Sequence, residues 1–236
     1  ELNEDNENLR EDLEDERDRL RDLGEEVEKV TGTLSDLEKL NELDEELLKK
    51  YSKVAFLNEN YLPEDLEDIR SRYLFDAASD QQIHEEVEPF LEDMIEDADD
   101  DGVELLVKSA YRSFGTQAQL KGQYLVSYGS GANAFSADQG YSEHQLGTTV
   151  DFTTEDMNGA LTVAFADTES FKWLEENAYK YGFALSYPEN NEFYIFEPWH
   201  WRFVGVDLAT NLHNSGKHFY DLDQREIDDY LVSIFD

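Results

Sequence analysis

The stretch Ser142-Glu143-His144-Gln145-Leu146-Gly147-Thr148-Thr149-Val150-Asp151 decides how this chain is read. It closes a run, residues 127–142, rich in Gly, Ser, Ala and Asn, which reads as a long loop. Long loops without structure of their own are often functional. Thr148–Phe152 reads as a strand, so His144 precedes a strand that carries Asp151. A second stretch, Glu197-Pro198-Trp199-His200-Trp201-Arg202, lies in an aromatic, strand-like run from Phe193 to Val204. His144, Asp151 and His200 supply two imidazoles and one carboxylate. That is a common ligand set for catalytic zinc, with a fourth position left for water. Zinc in such a site lowers the pKa of water and polarises a carbonyl.

Proximity of acids proves little here. The chain has 5 histidines (His84, His144, His200, His213, His218) against 57 Asp and Glu, so any histidine has an acid nearby by chance. The context of His144 and His200 carries the reading. Taken singly, Ser142-x-His144 is uninformative and Trp199-His200-Trp201 is equally consistent with core packing. Glu197 is a candidate general base, with a geometric condition attached. Residues three apart in a straight strand point to opposite faces. Glu197 and His200 share a site only if the chain bends between them, and Pro198, which cannot donate to a ladder, is the place for it.

Outward from these motifs the elements are mixed. Ile83, Val87, Phe90, Leu91, Met94 and Ile95 fall at helical spacing and predict a helix over 81–98, ended by Asp99-Asp100-Asp101-Gly102. Val103–Val107 reads as a buried strand, and helices are predicted near 117–126, 170–181, 206–214 and 224–234. Helices and short strands in this order predict an α+β fold rather than a parallel α/β sheet. No internal repeat is present.

The N-terminal part reads differently. Leu9, Leu13, Leu20, Leu23, Val27, Val30, Leu34 and Leu37 recur mostly at spacings of three and four, the seam of a coiled coil. Thr31-Gly32-Thr33 interrupts the seam, and Ser35 with Glu38 has the form of a capping box. The segment either self-associates or meets a partner helix as a stalk, folds back on itself near Gly32, or is a solvated spacer. Its excess of acids weakens self-association. The division expected is 1–42, a coiled-coil stalk, and 43–236, a catalytic domain. Leu47, Leu48, Tyr51, Val54 and Phe56 give the start of the second part a denser apolar face.

Composition excludes several functions. In 236 residues, 19 Lys and Arg face 57 Asp and Glu, a net charge of −38. Nucleic-acid binding through phosphate neutralisation needs the opposite sign. So does docking on anionic lipid. No apolar run is long enough to span a membrane. The absence of Cys removes disulfides, Cys-zinc knuckles, iron–sulfur clusters and thiol nucleophiles. The acidity suits a high-salt habitat, or simply resists aggregation.

Ser142-x-His144-x-x-Gly147-x-Thr149-x-Asp151, followed by Glu197-x-x-His200, resembles the zinc D-alanyl-D-alanine carboxypeptidases of the VanY type and the related L,D-carboxypeptidases. Tyr111-Arg112-Ser113-Phe114 with Gln117 matches the family's Tyr-Arg-Ser segment. The run Tyr51-Ser52-Lys53, Phe56-Leu57-Asn58-Glu59 and Pro63 resembles the approach to the domain in L,D-carboxypeptidase-like members. The resemblance covers roughly Leu43 to the C-terminus. It implies a small antiparallel sheet with packed helices, the fold shared with lysostaphin-type peptidases and the Hedgehog signalling domain. It implies Zn2+ held by His144, Asp151 and His200, Glu197 as catalytic base, and Arg112 on a substrate carboxylate or oxyanion. Gln117, Ser136, Asp138 and Ser142 are weaker candidates for substrate contact. The implied substrate is the stem peptide of peptidoglycan, losing a terminal D-alanine at a D,D or L,D bond outside the cytoplasmic membrane. Any export signal or anchor would then lie upstream of Glu1. Alternatives are an endopeptidase, an inactive zinc-binding regulatory domain, and a coiled-coil interaction protein. Gln139 before Gly140 and Thr149 depart from the usual Pro and Ala of the family, without touching an implied ligand.

Overall fold

The computed structural model describes residues 59–128, 140–191, 195–230 and 233–235, with 17, 19, 21, 24, 27–29, 31 and 32, and only the backbone of 123–128. The chain divides into two units, Glu1–Leu43 and Asp44–Asp236. Every described residue of the first unit is helical and exposed. Thr31 and Gly32 continue this helix instead of interrupting it. The Thr31 hydroxyl donates back to the Val27 carbonyl at 2.8 Å, so the polar side chain is satisfied within the helix. Of the seam positions only Val27 is described, and it is 56% exposed. The other seam residues, the Ser35 and Glu38 pattern and the apolar set Leu47 to Phe56 lie outside the described residues.

The second unit is α+β. A two-stranded antiparallel ribbon pairs β1 (Leu66–Asp68) with β2 (Gln82–His84). The main sheet holds β3 (Leu106–Ser109), β4 (Thr149–Thr153), β5 (Phe183–Leu185) and β6 (His200–Phe203) in the order β3-β4-β6-β5, each neighbouring pair antiparallel. The helices are α1 (Glu88–Asp100), α2 (Phe114–Tyr128), α3 (Glu169–Asn177), α4 (Val206–Ser215) and α5 (Gln224–Asp228).

Two expectations are corrected. The helix over 81–98 begins only at Glu88, because Gln82–His84 pairs with β1 and Pro89 occupies the first helical turn. Of the strand expected over Phe193–Val204, the described residues 195–204 are strand only at His200–Phe203, because the chain turns at Pro198-Trp199 before it.

Alternation sorts β4 and β6 into two faces. Val150, Phe152, Trp201 and Phe203 form one face and are almost wholly buried. Phe203 meets Phe90 of α1 with ring centroids 5.0 Å apart, and Trp201 meets Phe171 of α3 at 6.3 Å. Each such buried aromatic contributes about 1.5–3 kcal/mol. The other face carries Thr149, Asp151, His200 and Arg202, also buried. Asp151 stands directly opposite His200, and Thr149 opposite Arg202. A bulge between Val107 and Ser109 shifts the register of β3 beside Asp151. Bulges of this kind re-aim side chains next to sites.

The turn before β4 is fixed from both ends. Glu143–Leu146 is a 3-10 turn closed by Gly147 at φ +72°, and the Gly147 carbonyl accepts from the His84 N–H at 2.7 Å. A Cβ at Gly147 would lie 2.9 Å from Leu66 Cδ2 in a left-handed conformation. Gly147→Ala is therefore expected to cost at least about 1–2 kcal/mol from backbone strain alone, read by denaturant unfolding. A neutral result would show that the turn relaxes.

Candidate active site

Three elements deliver the three candidate ligands. The 3-10 turn presents His144, β4 presents Asp151, and the start of β6 presents His200. His200 Nδ1 lies 3.0 Å from Asp151 Oδ1, and His144 Nε2 lies 3.1 Å from Asp151 Oδ2. The two rings meet edge to face, centroids 4.9 Å apart. One ligand atom from each residue lies within 4.8 Å of the others, a group that could hold a metal ion. All three residues are buried.

Hydrogen bonds fix the tautomers. His144 Nδ1 donates to the Ala110 carbonyl at 2.7 Å, which can only accept. Its proton therefore sits on Nδ1 and leaves Nε2 as a bare lone pair. That buried Nε2 makes no hydrogen bond among the described residues although it faces a carboxylate oxygen at 3.1 Å. Two acceptors in such contact repel, and a cation between them turns repulsion into coordination. Burial lowers His144 to about 4, with Arg112 adding to the effect. Its imidazole is neutral near pH 7, as a ligand must be. Burial alone would raise Asp151, but the hydrogen bond and positive charge of His200 oppose it and help to hold the carboxylate ionised. Burial pulls His200 down, while its bonds to Asp151 and Glu143 raise it to about 10. Two nitrogens and one anionic oxygen, buried and converging, fit zinc by donor type.

Glu197 reaches the same place by a turn. The His200 N–H donates to the Glu197 carbonyl at 3.0 Å across Pro198-Trp199, which is the bend that the sequence demanded. The Glu197 N–H is held by the Tyr187 carbonyl at 3.0 Å. Glu197 Oε2 lies 3.7 Å from His200 Nδ1. Burial is the main cause that raises the Glu197 carboxyl to about 7, opposed by His200 and Arg112. That is the range in which a general base works well near neutral pH.

A cleft of about 770 Å³ opens over this group. Arg112 and Gln117 line it, and Gln117 Oε1 accepts from Arg112 Nη1 at 3.0 Å. Arg112 Nη2 lies 3.4 Å from Asp151 Oδ2. Ser142 also lines the cleft and is buried. Ser136 and Asp138 lie outside the described residues. Trp199 and Tyr187 form part of the wall. Thr149 is fully buried, and its hydroxyl makes no hydrogen bond among the described residues.

Three further residues went unrecognised in the sequence. Glu143 Oε2 accepts from His200 Nε2 at 2.9 Å. Its Oε1 accepts from Arg202 Nη1 at 2.9 Å and from the Tyr220 hydroxyl at 2.6 Å. Burial first, then the Glu143 charge, raises the Tyr220 phenol well above its ordinary value, so it stays a donor. Glu143 stood as an unspecified position in the Ser142-x-His144 pattern, and Tyr220 lies far along the chain.

Comparison with known proteins shows the family to which the chain belongs. Residues 80–206, more than half the chain, match the VanY family, D-alanyl-D-alanine carboxypeptidase. A Bacillus subtilis protein, YodJ, is 34% identical over 200 residues, covering 74% of this chain and 68% of YodJ. A D-alanyl-D-alanine carboxypeptidase of Enterococcus faecalis is 30% identical over 149 residues, 58% of this chain and 53% of the relative. Among solved structures, the LdcB LD-carboxypeptidase superposes with a TM-score of 0.65 at 32% identity, covering 72% of this chain and 81% of LdcB. VanYB in complex with D-Ala-D-Ala superposes at 0.58 with 26% identity, covering 72% and 96%. A VanY variant in complex with Zn(II) superposes at 0.57 with 26% identity, covering 72% and 98%. This chain belongs to the VanY family of D-alanyl-D-alanine carboxypeptidases and is an enzyme of that peptidase class.

Proposed function

We propose that the protein is a zinc-dependent carboxypeptidase that releases the terminal D-alanine of peptidoglycan stem peptides. The observation that carries this reading is the buried group His144, Asp151 and His200 with Glu197 beside it at the floor of a cleft. His144 through Nε2, Asp151 through its carboxylate and His200 through Nδ1 would hold the ion. When bound, zinc supplies Lewis-acid polarisation of the scissile carbonyl and lowers the pKa of water. Glu197 accepts a proton from the attacking water and returns it to the leaving amine. Arg112 pairs with the free carboxylate of the terminal residue, its fork fixed by Gln117. Ser142, which lines the cleft, is proposed to contact the same substrate; Ser136 and Asp138 are proposed for that role from the sequence pattern alone. Stem peptides lie outside the cytoplasmic membrane, so the proposed place of action is the cell envelope. Among the described residues no helix is long and apolar enough to cross a membrane.

The test is incubation with defined pentapeptide and tetrapeptide muropeptides, with and without chelator, read by mass spectrometry. Loss of one alanine that stops with chelator and returns with zinc is expected. The pentapeptide arm reads a D,D bond and the tetrapeptide arm an L,D bond. Faster cutting of crosslinked dimers than of free stems would replace the carboxypeptidase by an endopeptidase.

Arg112→Ala is expected to lower kcat/KM on free-ended peptides by roughly 10- to 150-fold. That corresponds to about 1.5–3 kcal/mol for a hydrogen bond to a charged group. A peptide amidated at its C-terminus should lose far less with the same variant. Equal losses on both would move Arg112 from the carboxylate to the reacting carbonyl.

A further inference from the structure

Glu143 is a buried carboxylate that the proposed reaction does not use. Its side chain is 0% exposed, yet it sits between a candidate ligand and a cation. The 3-10 turn sends consecutive side chains to two places: His144 to the ligand group, and Glu143 to the far nitrogen of His200. An ionised carboxylate only accepts hydrogen bonds. The 2.9 Å contact to His200 Nε2 therefore requires a proton on Nε2, which makes Nδ1, 3.0 Å from Asp151, the nitrogen that would give its lone pair to a metal. Oε1 is engaged separately by Arg202 and Tyr220. Arg202 is 1% exposed and its guanidinium lies 4.4 Å over the Phe219 ring, so the cation has little freedom to leave. Tyr220 braces the group twice. Its hydroxyl donates to Glu143, and its ring stacks on Tyr187 at 5.9 Å, which stacks on His200 at 4.8 Å.

We infer that Glu143, held by Arg202 and Tyr220, is a positioning residue that fixes the tautomer and ring plane of His200 for metal binding. The inference rests on the zinc reading proposed above. A ligand histidine commonly donates its second N–H to a carboxylate, and loss of such a partner typically costs 10- to 100-fold in metal affinity. A Glu143–Arg202 pair of purely structural value would change stability when broken, and leave the tautomer and the zinc affinity alone.

Two measurements on the full chain test this. The first is 15N NMR of the zinc-loaded wild type, where His200 is expected to carry its proton on Nε2. The second is a competitive zinc titration of Glu143→Gln, expected to bind zinc about 10- to 100-fold more weakly. Tyr220→Phe keeps the stacking ring and removes one donor, so a smaller loss in the same direction is expected. Where Glu143→Gln does not fold, the wild-type tautomer and Tyr220→Phe decide. A proton on His200 Nδ1 in zinc-loaded protein overturns the inference and leaves the metal reading standing. So does a folded Glu143→Gln with wild-type affinity, or, in its place, a Tyr220→Phe with wild-type affinity. If the wild type binds no zinc at all, the metal reading fails and this inference falls with it.

Discussion

Glu197→Gln is expected to lower turnover by about 10²–10⁴-fold, the usual worth of general-base help, while zinc content stays at the wild-type level. The substitution keeps size and removes the proton acceptor. The fold has no reason to change, because the turn that places Glu197 is made by backbone. His200 donates to the Glu197 carbonyl, and the Glu197 N–H donates to the Tyr187 carbonyl. The side chain itself is 13% exposed and makes its closest charged approach to His200 Nδ1, at 3.7 Å. Metal content and rate measured on the same purified sample separate the possible roles. Loss of zinc would make Glu197 a ligand. Retention of both zinc and rate would place the base elsewhere.

The site was more legible than the fold that holds it. His144 and Asp151 lie seven residues apart in one motif, and a short turn leading into a strand is enough to bring them together. His200 was read from its aromatic, strand-like context; in the structure Asp151 stands opposite it across β4 and β6, and antiparallel pairing places opposite residues on one face. Glu197 was legible only with a bend, and Pro198 supplied the signal. The ribbon of β1 and β2 and the strand β5 were missed. Each has three residues, too few for alternation to show. Ile83 also fell at helical spacing with Val87, Phe90 and Leu91, which concealed the strand. Pro89 was the available signal that the helix starts later.

Glu143, Arg202 and Tyr220 were illegible for a different reason. Their meaning lies in contacts across 57 to 77 residues of sequence, and 57 acids in the chain make any one of them inconspicuous. What distinguishes Glu143 is burial, which an acidic residue tolerates only with partners. Burial follows from the 3-10 turn packing against β4, and no local pattern announces it. The acidity of the whole chain has the same effect on function. It argues against polyanion binding, but it hides the few carboxylates that act.

His144→Ala is expected to abolish zinc binding and to lower activity by more than the about 10⁴-fold upper figure for losing a general base. The reason is that it removes the carbonyl polarisation and the water activation together. His144 is the better ligand to remove. His200→Ala would also strip Glu143 of a hydrogen-bonded partner in the core, mixing metal loss with a buried-charge penalty. Among the described residues the His144 ring makes one hydrogen bond, from Nδ1 to the Ala110 carbonyl, so its loss leaves one backbone acceptor unsatisfied, about 1–3 kcal/mol. Thermal unfolding separates that structural cost from metal binding. Zinc at about 100 times its dissociation constant should stabilise the wild type by about 2.7 kcal/mol. The same zinc should leave the melting temperature of His144→Ala unchanged, and chelator should bring the wild type down toward its zinc-free value. If His144→Ala is still stabilised by zinc to the wild-type extent, the ion sits elsewhere. The bare Nε2 facing Asp151 would then need another explanation.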